Sequence, residues 1–195
     1  MNTIRETIEL YHAQTVEDLH LLPEGTLAQL IDGEILMSPA PTVLHQFALT
    51  SILYELTSFV RSDRGGYVLS WPLDVHLAER YVLQPDIIYI APAHAELVRK
   101  DAVYGAPDLV IEILSPSTGY YDLTKKRDAY ERFGVKEYWI VDPERKQVEV
   151  LVLEAGSYRS DQTITAEGTA RSVLLDGFEV NVPPLFELRD HRRGK

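Results

Sequence analysis

Apolar residues recur at helical spacing in two segments of the chain. The first covers about residues 43–60, where apolar positions lie three or four residues apart: Leu44, Ala48, Ile52, Leu53 and Leu56. The second covers about residues 117–133, with Ser117 or Thr118 as candidate N-cap and Gly134 directly after its last turn. The pattern therefore predicts two amphipathic helices.

Other apolar segments have the pattern of β-strands. Residues 67–77 alternate between apolar and polar positions, and "VLQPDIIYI" (82–90) is predicted as a strand that the chain enters through Gln84-Pro85. The segment "PDLVIEILS" (107–115) lacks strict alternation, as expected for a strand that is covered on both faces.

Turn residues predict two hairpins. "KEYWIVD" (136–142) and "QVEVLVLE" (147–154) are expected to pair with each other, and a second strand pair is expected around Asp32-Gly33. A short helix near residues 15–20 precedes that pair. The order of these elements predicts a mixed α/β domain, and no repeat or linker divides the chain, so we expect one domain over residues 1–195.

Composition narrows the class of protein. With 45% hydrophobic and 25% charged residues the chain is typical of globular domains, and no apolar run reaches transmembrane length. The N-terminal segment lacks the apolar core of a secretion signal, so a cytoplasmic location is expected. The absence of cysteine excludes thiolate catalysis, disulfides and zinc–cysteine sites.

The net charge of −11 argues against general, non-specific binding of nucleic acid, which needs a basic surface. The charge is unevenly distributed, however. Between Arg99 and Lys146 there are nine Lys/Arg and nine Asp/Glu residues, so all of the excess negative charge lies outside this segment. A locally neutral segment is compatible with an anionic partner.

Carboxylates interrupt the most apolar strands. Asp108 and Glu112 lie within "PDLVIEILSPST" (107–118), and Asp86 opens "PDIIYI". Burying an ionised carboxylate is costly unless it is paired, hydrogen-bonded or bound to a metal. Asp108 follows a proline, which favours a structural role and leaves it a secondary candidate. Glu112 lies in mid-strand and needs a partner.

A lysine on the second predicted helix is the expected partner. Lys126 falls on its apolar face, between Tyr130 and Phe133, and an inward ammonium group needs a carboxylate such as Glu112. Asp122, one turn earlier on the helix, is the alternative partner.

If the two strands are neighbours, Asp86 and Glu112 converge beneath Lys126. Two carboxylates of this kind would bind a hard divalent cation, Mg²⁺ or Mn²⁺, while the lysine orients or activates a water molecule. The expected chemistry is metal-assisted hydrolysis of a phosphodiester.

Four segments together resemble a group of bacterial endonucleases with the PD-(D/E)XK, restriction endonuclease-like fold: "QPDIIYI", "PDLVIEILSPST", Lys126 and "YERFGVKEYWIVDP". The resemblance implies an α+β core in which a mixed β-sheet is flanked by helices. It also implies that Asp86 is the aspartate of the PD motif, that Glu112 is the acidic residue of (D/E)XK, and that Glu34 is an additional acidic residue of the site. It suggests nucleic acid, DNA in particular, as the partner. Because the chain is acidic, we expect a specific structure, a partner-delivered strand or a short substrate rather than general double-stranded DNA.

The sequence departs from the superfamily pattern at one position. Leu114 stands two residues after Glu112, where the lysine of the motif is expected. In some relatives the lysine comes from the following helix, and Lys126 fits that arrangement. The departure keeps open an alternative: a catalytically inactive interaction module that retains the fold and a structural Glu112–Lys126 ion pair.

Three further interpretations concern a histidine, a possible interface implied by the resemblance, and a different hydrolase class. His45, in the first turn of the first predicted helix, is interpreted as a satisfied core or boundary histidine. The apolar stretch at residues 180–186 is a candidate interface for a homodimer, because domains with this fold often dimerise. A carboxylate-pair hydrolase acting on sugars has no support beyond the two carboxylates.

Overall fold

The computed structural model describes residues 14–115, 119–165 and 167–188. Within these ranges three α-helices form, together with a π-helical turn at Val60–Arg64 and 3₁₀ turns at Pro92–Leu97 and Pro183–Phe186. The α-helices are α1 (Val16–His20), α2 (Val43–Phe59) and α3 (Gly119–Phe133). None of the described helices is long and apolar enough to cross a membrane.

The described residues contain thirteen strands. In chain order they are β1 (Ala28–Ile31), β2 (Glu34–Met37), β3 (Tyr67–Ser70), β4 (Val75–Ala78), β5 (Tyr81–Leu83), β6 (Ile87–Ile90), β7 (Val103–Tyr104), β8 (Leu109–Ile113), β9 (Glu137–Asp142), β10 (Gln147–Glu154), β11 (Ser157–Thr165), β12 (Thr169–Arg171) and β13 (Glu179–Asn181). They form a six-stranded sheet in the order β11-β10-β9-β8-β6-β3, a five-stranded sheet in the order β2-β1-β5-β4-β7, and the pair β12-β13.

Strands β8 and β9 lie at the centre of the six-stranded sheet and run parallel, with Glu112 opposite Ile140. Their connection contains α3, as parallel neighbours require a crossover. The amphipathic helices cover opposite faces of this sheet. Ile52 of α2 packs in a core with Ile111 of β8, whereas Tyr130 of α3 packs with Val110. Both faces of β8 are therefore buried, which explains why its sequence does not alternate between apolar and polar residues.

Several sequence-based predictions are confirmed. Both long helices and the β9–β10 hairpin form as expected. The β1–β2 hairpin turns at Asp32 (φ 52°) and Gly33 (φ 75°), the left-handed pair of a tight turn. Thr42 caps α2, and its hydroxyl accepts from the amide of His45 at 3.2 Å. The N-cap candidates Ser117 and Thr118 lie outside the described residues.

Two predicted strands are wrong in the same way. Residues 82–90 form β5 and β6, and residues 67–77 form β3 and β4, with each pair divided between the two larger sheets. The breaks fall at Gln84-Pro85-Asp86 and at Trp71-Pro72. Proline has no amide hydrogen to donate to a ladder, so the chain leaves one sheet and enters the other there. Asp86 consequently lies at the junction of the sheets.

The predicted dimer interface at residues 180–186 is also wrong. Val180 is 2% exposed and Leu185 is 3% exposed, and both belong to the core on the α2 side of the six-stranded sheet. The apolar character of this stretch is explained by packing within the chain, because Val180, Val182, Leu185 and Phe186 are all buried, whereas the exposed positions are Asn181 and Pro184.

Candidate active site

Asp86 is buried where the chain passes from β5 to β6. Its carboxylate Oδ2 accepts a hydrogen bond from the backbone amide of Ile113 at 2.7 Å and lies 3.3 Å from Nε2 of His45. The amide of Trp71 donates to the backbone carbonyl of Asp86 at 3.0 Å. This hydrogen bond links the two segments at which the chain passes between the sheets. The amide of Ile113 and the ring of His45 fix the orientation of the Asp86 side chain.

Glu112 is buried on β8 and faces α3. The ammonium group of Lys126 lies 2.9 Å from both carboxylate oxygens, and the hydroxyl of Tyr130 donates to Oε1 at 2.6 Å. Lys126 and Tyr130 are four residues apart on α3, so they occupy the same helix face. The ion pair expected from the inward position of Lys126 is present. The side chain of Asp122, the alternative partner, lies outside the described part of the chain.

The electrostatics of Glu112 combine opposing effects. Burial raises the pKa of its carboxyl group, Lys126 lowers it, the nearby charge of Asp86 raises it, and the Tyr130 hydrogen bond lowers it; the net direction is upward. Burial and the adjacent Glu112 carboxylate also raise the pKa of Tyr130 well above its ordinary value, so its hydroxyl remains a donor. On the side that faces α3, the carboxylate of Glu112 is therefore held by two hydrogen-bond donors, Lys126 and Tyr130.

The two carboxylates and the lysine line one cavity of about 110 Å³, at the end of β8 and between the two larger sheets. The structure thus brings Asp86, Glu112 and Lys126 together, as the sequence predicts. Residues from both sheets and both long helices complete the wall: Gln29, Ile31, Leu36, Met37, Ser38, Pro39, Pro41, His45, Trp71, Gln84, Ile113, Leu114, Ser115 and Leu123.

Glu34 is not brought to this cavity. Its carboxylate lies 2.6 Å from the ammonium group of Lys125, and its side chain is 58% exposed. Both residues line a separate depression of about 300 Å³ beside Asp32 and Arg132. Lys125 and Lys126 are adjacent in sequence but point to different acidic partners, as successive helix positions must.

Asp108, the secondary candidate, lies at the other end of β8, where its contacts stabilise the fold. Its carboxylate accepts from the amide of Ala91 at 2.8 Å, and it lies within 2.6 Å of the Lys136 ammonium group and 2.9 Å of His94 Nδ1. Burial opposes ionisation, but the hydrogen bonds of His94, Lys136 and Ala91 outweigh it and lower the pKa of Asp108. These contacts anchor the turn after β6.

The donor set fits a cation bound through few protein ligands. No cluster of three or more His, Asp or Glu side chains in the described ranges has the geometry of a metal cage. Mg²⁺ is commonly held by one or two carboxylates, with waters and substrate phosphates completing its shell. Asp86 and Glu112 supply such a pair on the wall of the cavity.

Sequence reasoning missed two residues of this cavity. His45 was interpreted as satisfied, yet its Nδ1 is buried with no hydrogen-bond partner among the described residues, while Nε2 faces Asp86. Trp71 gave no signal, because it lies in a segment interpreted as one continuous strand. Only the break at Trp71-Pro72 could have indicated that its indole leaves the sheet.

Comparisons with known proteins also indicate a nuclease-like fold. A family model named Uma2 and described as "Putative restriction endonuclease" matches residues 14–183. A solved structure, titled as a "putative nuclease belonging to DUF820 from Anabaena variabilis ATCC 29413", matches with a TM-score of 0.74. The alignment has 20% identity and covers 88% of this chain and 97% of that one. No curated protein matches.

The match to the solved structure shows the fold, and the family match spans the segments that contain Asp86 and Glu112. The expected mixed α+β architecture and the resemblance to restriction endonuclease-like proteins are thereby confirmed. The chain belongs to the Uma2 family of nuclease-like proteins.

Proposed function

We propose that the protein hydrolyses phosphodiester bonds of nucleic acid with the help of Mg²⁺ or Mn²⁺ bound by Asp86 and Glu112. One observation carries the proposal: two buried carboxylates and Lys126 line the same small cavity, although they come from three separate parts of the chain. Burying this much charge is costly, and buried charge in a cavity is a frequent property of catalytic sites.

The protein residues have separate tasks in this proposal. A divalent cation bound here would supply Lewis acidity toward a phosphodiester and a water molecule. Asp86 presents a carboxylate whose direction is set by the amide of Ile113. Glu112 presents one whose direction is set by Lys126 and Tyr130. Side chains that are held in place in this way lose little conformational entropy when a metal ion binds to them.

Lys126 supplies the positive charge that the usual motif lysine would provide. Leu114 occupies the position of that lysine and contributes apolar wall to the cavity. The ammonium group of Lys126 reaches the carboxylate of Glu112 from α3 instead. From this position we propose that it orients the attacking water or stabilises charge developing on the phosphate.

A second function, a non-catalytic interaction module, is favoured by a specific observation. Both carboxylate oxygens of Glu112 already accept from Lys126, and Oε1 also accepts from Tyr130. A closed ion pair of this kind can serve the fold alone. The two functions differ in whether the pair opens to a metal ion, so metal binding separates them.

The test is a Mn²⁺ binding isotherm, without nucleic acid, for the wild type, Glu112→Gln and Glu137→Gln. Glu137 is a matched control because it is also a buried glutamate, with 1% exposure, but lies outside the cavity lining. We expect saturable binding that Glu112→Gln abolishes and Glu137→Gln retains.

Cleavage is then assayed on labelled single-stranded and duplex DNA with Mn²⁺ or Mg²⁺. We expect Glu112→Gln and Asp86→Asn to lose any activity of the wild type. If the wild type binds no Mn²⁺ and Glu112→Gln changes only the midpoint of unfolding, the ion pair is structural and the interaction module is the better assignment.

A further inference from the structure

The two tryptophans of the chain have opposite environments. Trp139 is fully buried, stacks on Phe178 with ring centroids 5.8 Å apart, and donates from its indole to Glu137 at 2.6 Å. Trp71 is partly exposed and lines the candidate active-site cavity. Its ring has no aromatic contact, and its indole no hydrogen bond, with another residue in the described ranges. An indole of this kind has both a face and a donor available to a ligand.

Two other residues of the cavity wall have buried polar atoms without a partner in the described part of the chain. They are Nδ1 of His45 and Oε1 of Gln84, in side chains that are about nine-tenths buried. The amide of Gln84 donates from Nε2 to Asp74 Oδ1 at 2.8 Å, which fixes Oε1 as the unpaired atom. Unpaired buried polar atoms are costly, and a ligand with donor and acceptor groups would satisfy them.

The mouth of the cavity is apolar. Met37 is 64% exposed although it lines the cavity, and Leu36, Pro39 and Pro41 lie beside it in the lining. Large exposed apolar side chains beside a cavity are typical of ligand or partner contacts. A surface of this kind suits the face of a nucleobase better than a phosphate backbone.

The positive charge in the lining of the cavity, that of Lys126, is already paired. Lys126 contacts Glu112, Lys125 contacts Glu34, and Arg145 lies 3.7 Å from Asp142. Specific duplex binding draws on many phosphate contacts from Lys and Arg, whereas single strands are also held by stacking on aromatic side chains. The charge of the cavity lining therefore favours a ligand that gains its affinity from stacking.

From these observations we infer that the cavity receives one nucleotide of a single-stranded nucleic acid, with its base against Trp71 and its polar edge toward Gln84 and His45. The inference rests on the proposed function, because it names the substrate class of the same site. Duplex DNA would reach the carboxylates only where its strands are separated or a nucleotide is turned out of the stack.

The experiment measures binding in EDTA, so that no strand is cleaved. The wild type is titrated with a short fluorescently labelled single strand and with the corresponding duplex, and anisotropy gives the affinity for each. Tryptophan fluorescence is followed in parallel with unlabelled strands. We expect tighter binding of the single strand and saturable quenching of Trp71, since the fully buried Trp139 is shielded from the ligand.

Three variants locate the contact. Trp71→Leu is expected to weaken single-strand binding by about tenfold and to remove the quenching. Trp71→Phe keeps a stacking ring and is expected to stay near wild-type affinity, which separates lost stacking from misfolding. Tyr54→Leu removes an exposed aromatic side chain of α2 outside the cavity lining and is expected to change neither readout.

Any of three results would overturn the inference: the duplex binds as tightly as the single strand or more tightly, the affinity of Trp71→Leu is unchanged, or neither the single strand nor the duplex binds. The Mn²⁺ isotherm keeps this failure distinct from failure of the proposed function. If Glu112→Gln loses Mn²⁺ binding while single strands do not bind, only the inferred substrate class is wrong. If single strands bind through Trp71 while the wild type binds no Mn²⁺, the nucleotide site stands without the metal-dependent hydrolysis.

Discussion

Two buried glutamates on neighbouring strands, Glu112 of β8 and Glu137 of β9, have opposite surroundings. Both are at most 5% exposed, and burial raises the pKa of both. Glu137 accepts hydrogen bonds from groups of the framework: the indole of Trp139 and the amides of Val173 and Leu174, all within 2.8 Å, and the Ser172 side chain. Glu112 accepts hydrogen bonds from the ammonium group of Lys126 and the phenol of Tyr130, and it lies near the carboxylate of Asp86.

The difference shows that neither burial nor a raised pKa identifies a functional carboxylate here. Glu137 joins β9 to the segment before β13, and its donors belong to groups that must be satisfied in any folded state. Glu112 lines a cavity, and its principal partner is the ammonium group of Lys126, which ends a four-carbon side chain and lines the same cavity. The identity of the partners therefore separates a structural glutamate from a candidate catalytic one.

Removing the lysine is expected to have the largest effect on stability. Lys126→Met leaves Glu112 buried with no cationic partner, and such breakage of a buried ion pair costs about 3–5 kcal/mol. Urea unfolding at neutral pH measures the loss. The double variant Glu112→Gln/Lys126→Met removes both charges and should recover most of the stability. A double variant as unstable as Lys126→Met would mean that packing of the lysine stem, not its charge, matters.

Glu137→Gln is expected to have a smaller effect, of about 2 kcal/mol. The amide keeps one acceptor oxygen for the backbone amides of Val173 and Leu174, but its NH₂ group then faces the indole donor of Trp139. Chemical unfolding measures the loss, and the Mn²⁺ isotherm should be unchanged. Loss of Mn²⁺ binding in this variant at full folding would remove the distinction between the two glutamates.

Asp108 sharpens the comparison through its pH dependence. Its folded-state pKa is lowered from the ordinary value of 3.8, so the folded state binds fewer protons than the unfolded state in this range. Its contribution to stability is therefore present above pH 3.8 and is lost as the pH falls through the lower, folded-state pKa. We expect Asp108→Asn to cost about 1 kcal/mol at pH 7, because two of its partners are part-exposed side chains.

The measurement is the free energy of unfolding of the wild type and Asp108→Asn at several pH values. The gap between them should narrow as the solution is acidified below pH 3.8. A gap that stays constant between pH 7 and pH 2 would show that the lost hydrogen-bond geometry, and not the charge of Asp108, stabilises the turn after β6.

Local patterns in the sequence predicted much of the fold. Helical spacing identified α2 and α3, and turn residues identified the β1–β2 and β9–β10 hairpins, because these signals lie within a few residues of one another. The division of two apolar segments between sheets was missed. Strand patterns do not state which sheet a strand joins, and Pro72 and Pro85 were interpreted as strand residues or entry points.

The candidate site was partly readable for a similar reason. The inward face of α3 pointed to Lys126, and the apolar surroundings of Glu112 required a partner. His45 and Trp71 could not be found in this way, because each meets the site through contacts distant in sequence: His45 lies 3.3 Å from Asp86, and Trp71 bonds to the backbone of Asp86. Contacts between residues that are distant in the chain leave no periodic pattern in a single sequence.

Glu34 provides the smallest expected effect and the closest check on the boundary of the site. Its carboxylate pairs with Lys125 at the surface, and exposed ion pairs of this kind contribute about 0.5 kcal/mol or less. Glu34→Gln should therefore leave both the free energy of unfolding and the Mn²⁺ isotherm close to the wild type, whereas Glu112→Gln changes both. If Glu34→Gln weakens Mn²⁺ binding tenfold or more, the β1–β2 hairpin must move toward the cavity when metal binds, and the acidic residue that the family resemblance assigns to the site would belong there after all.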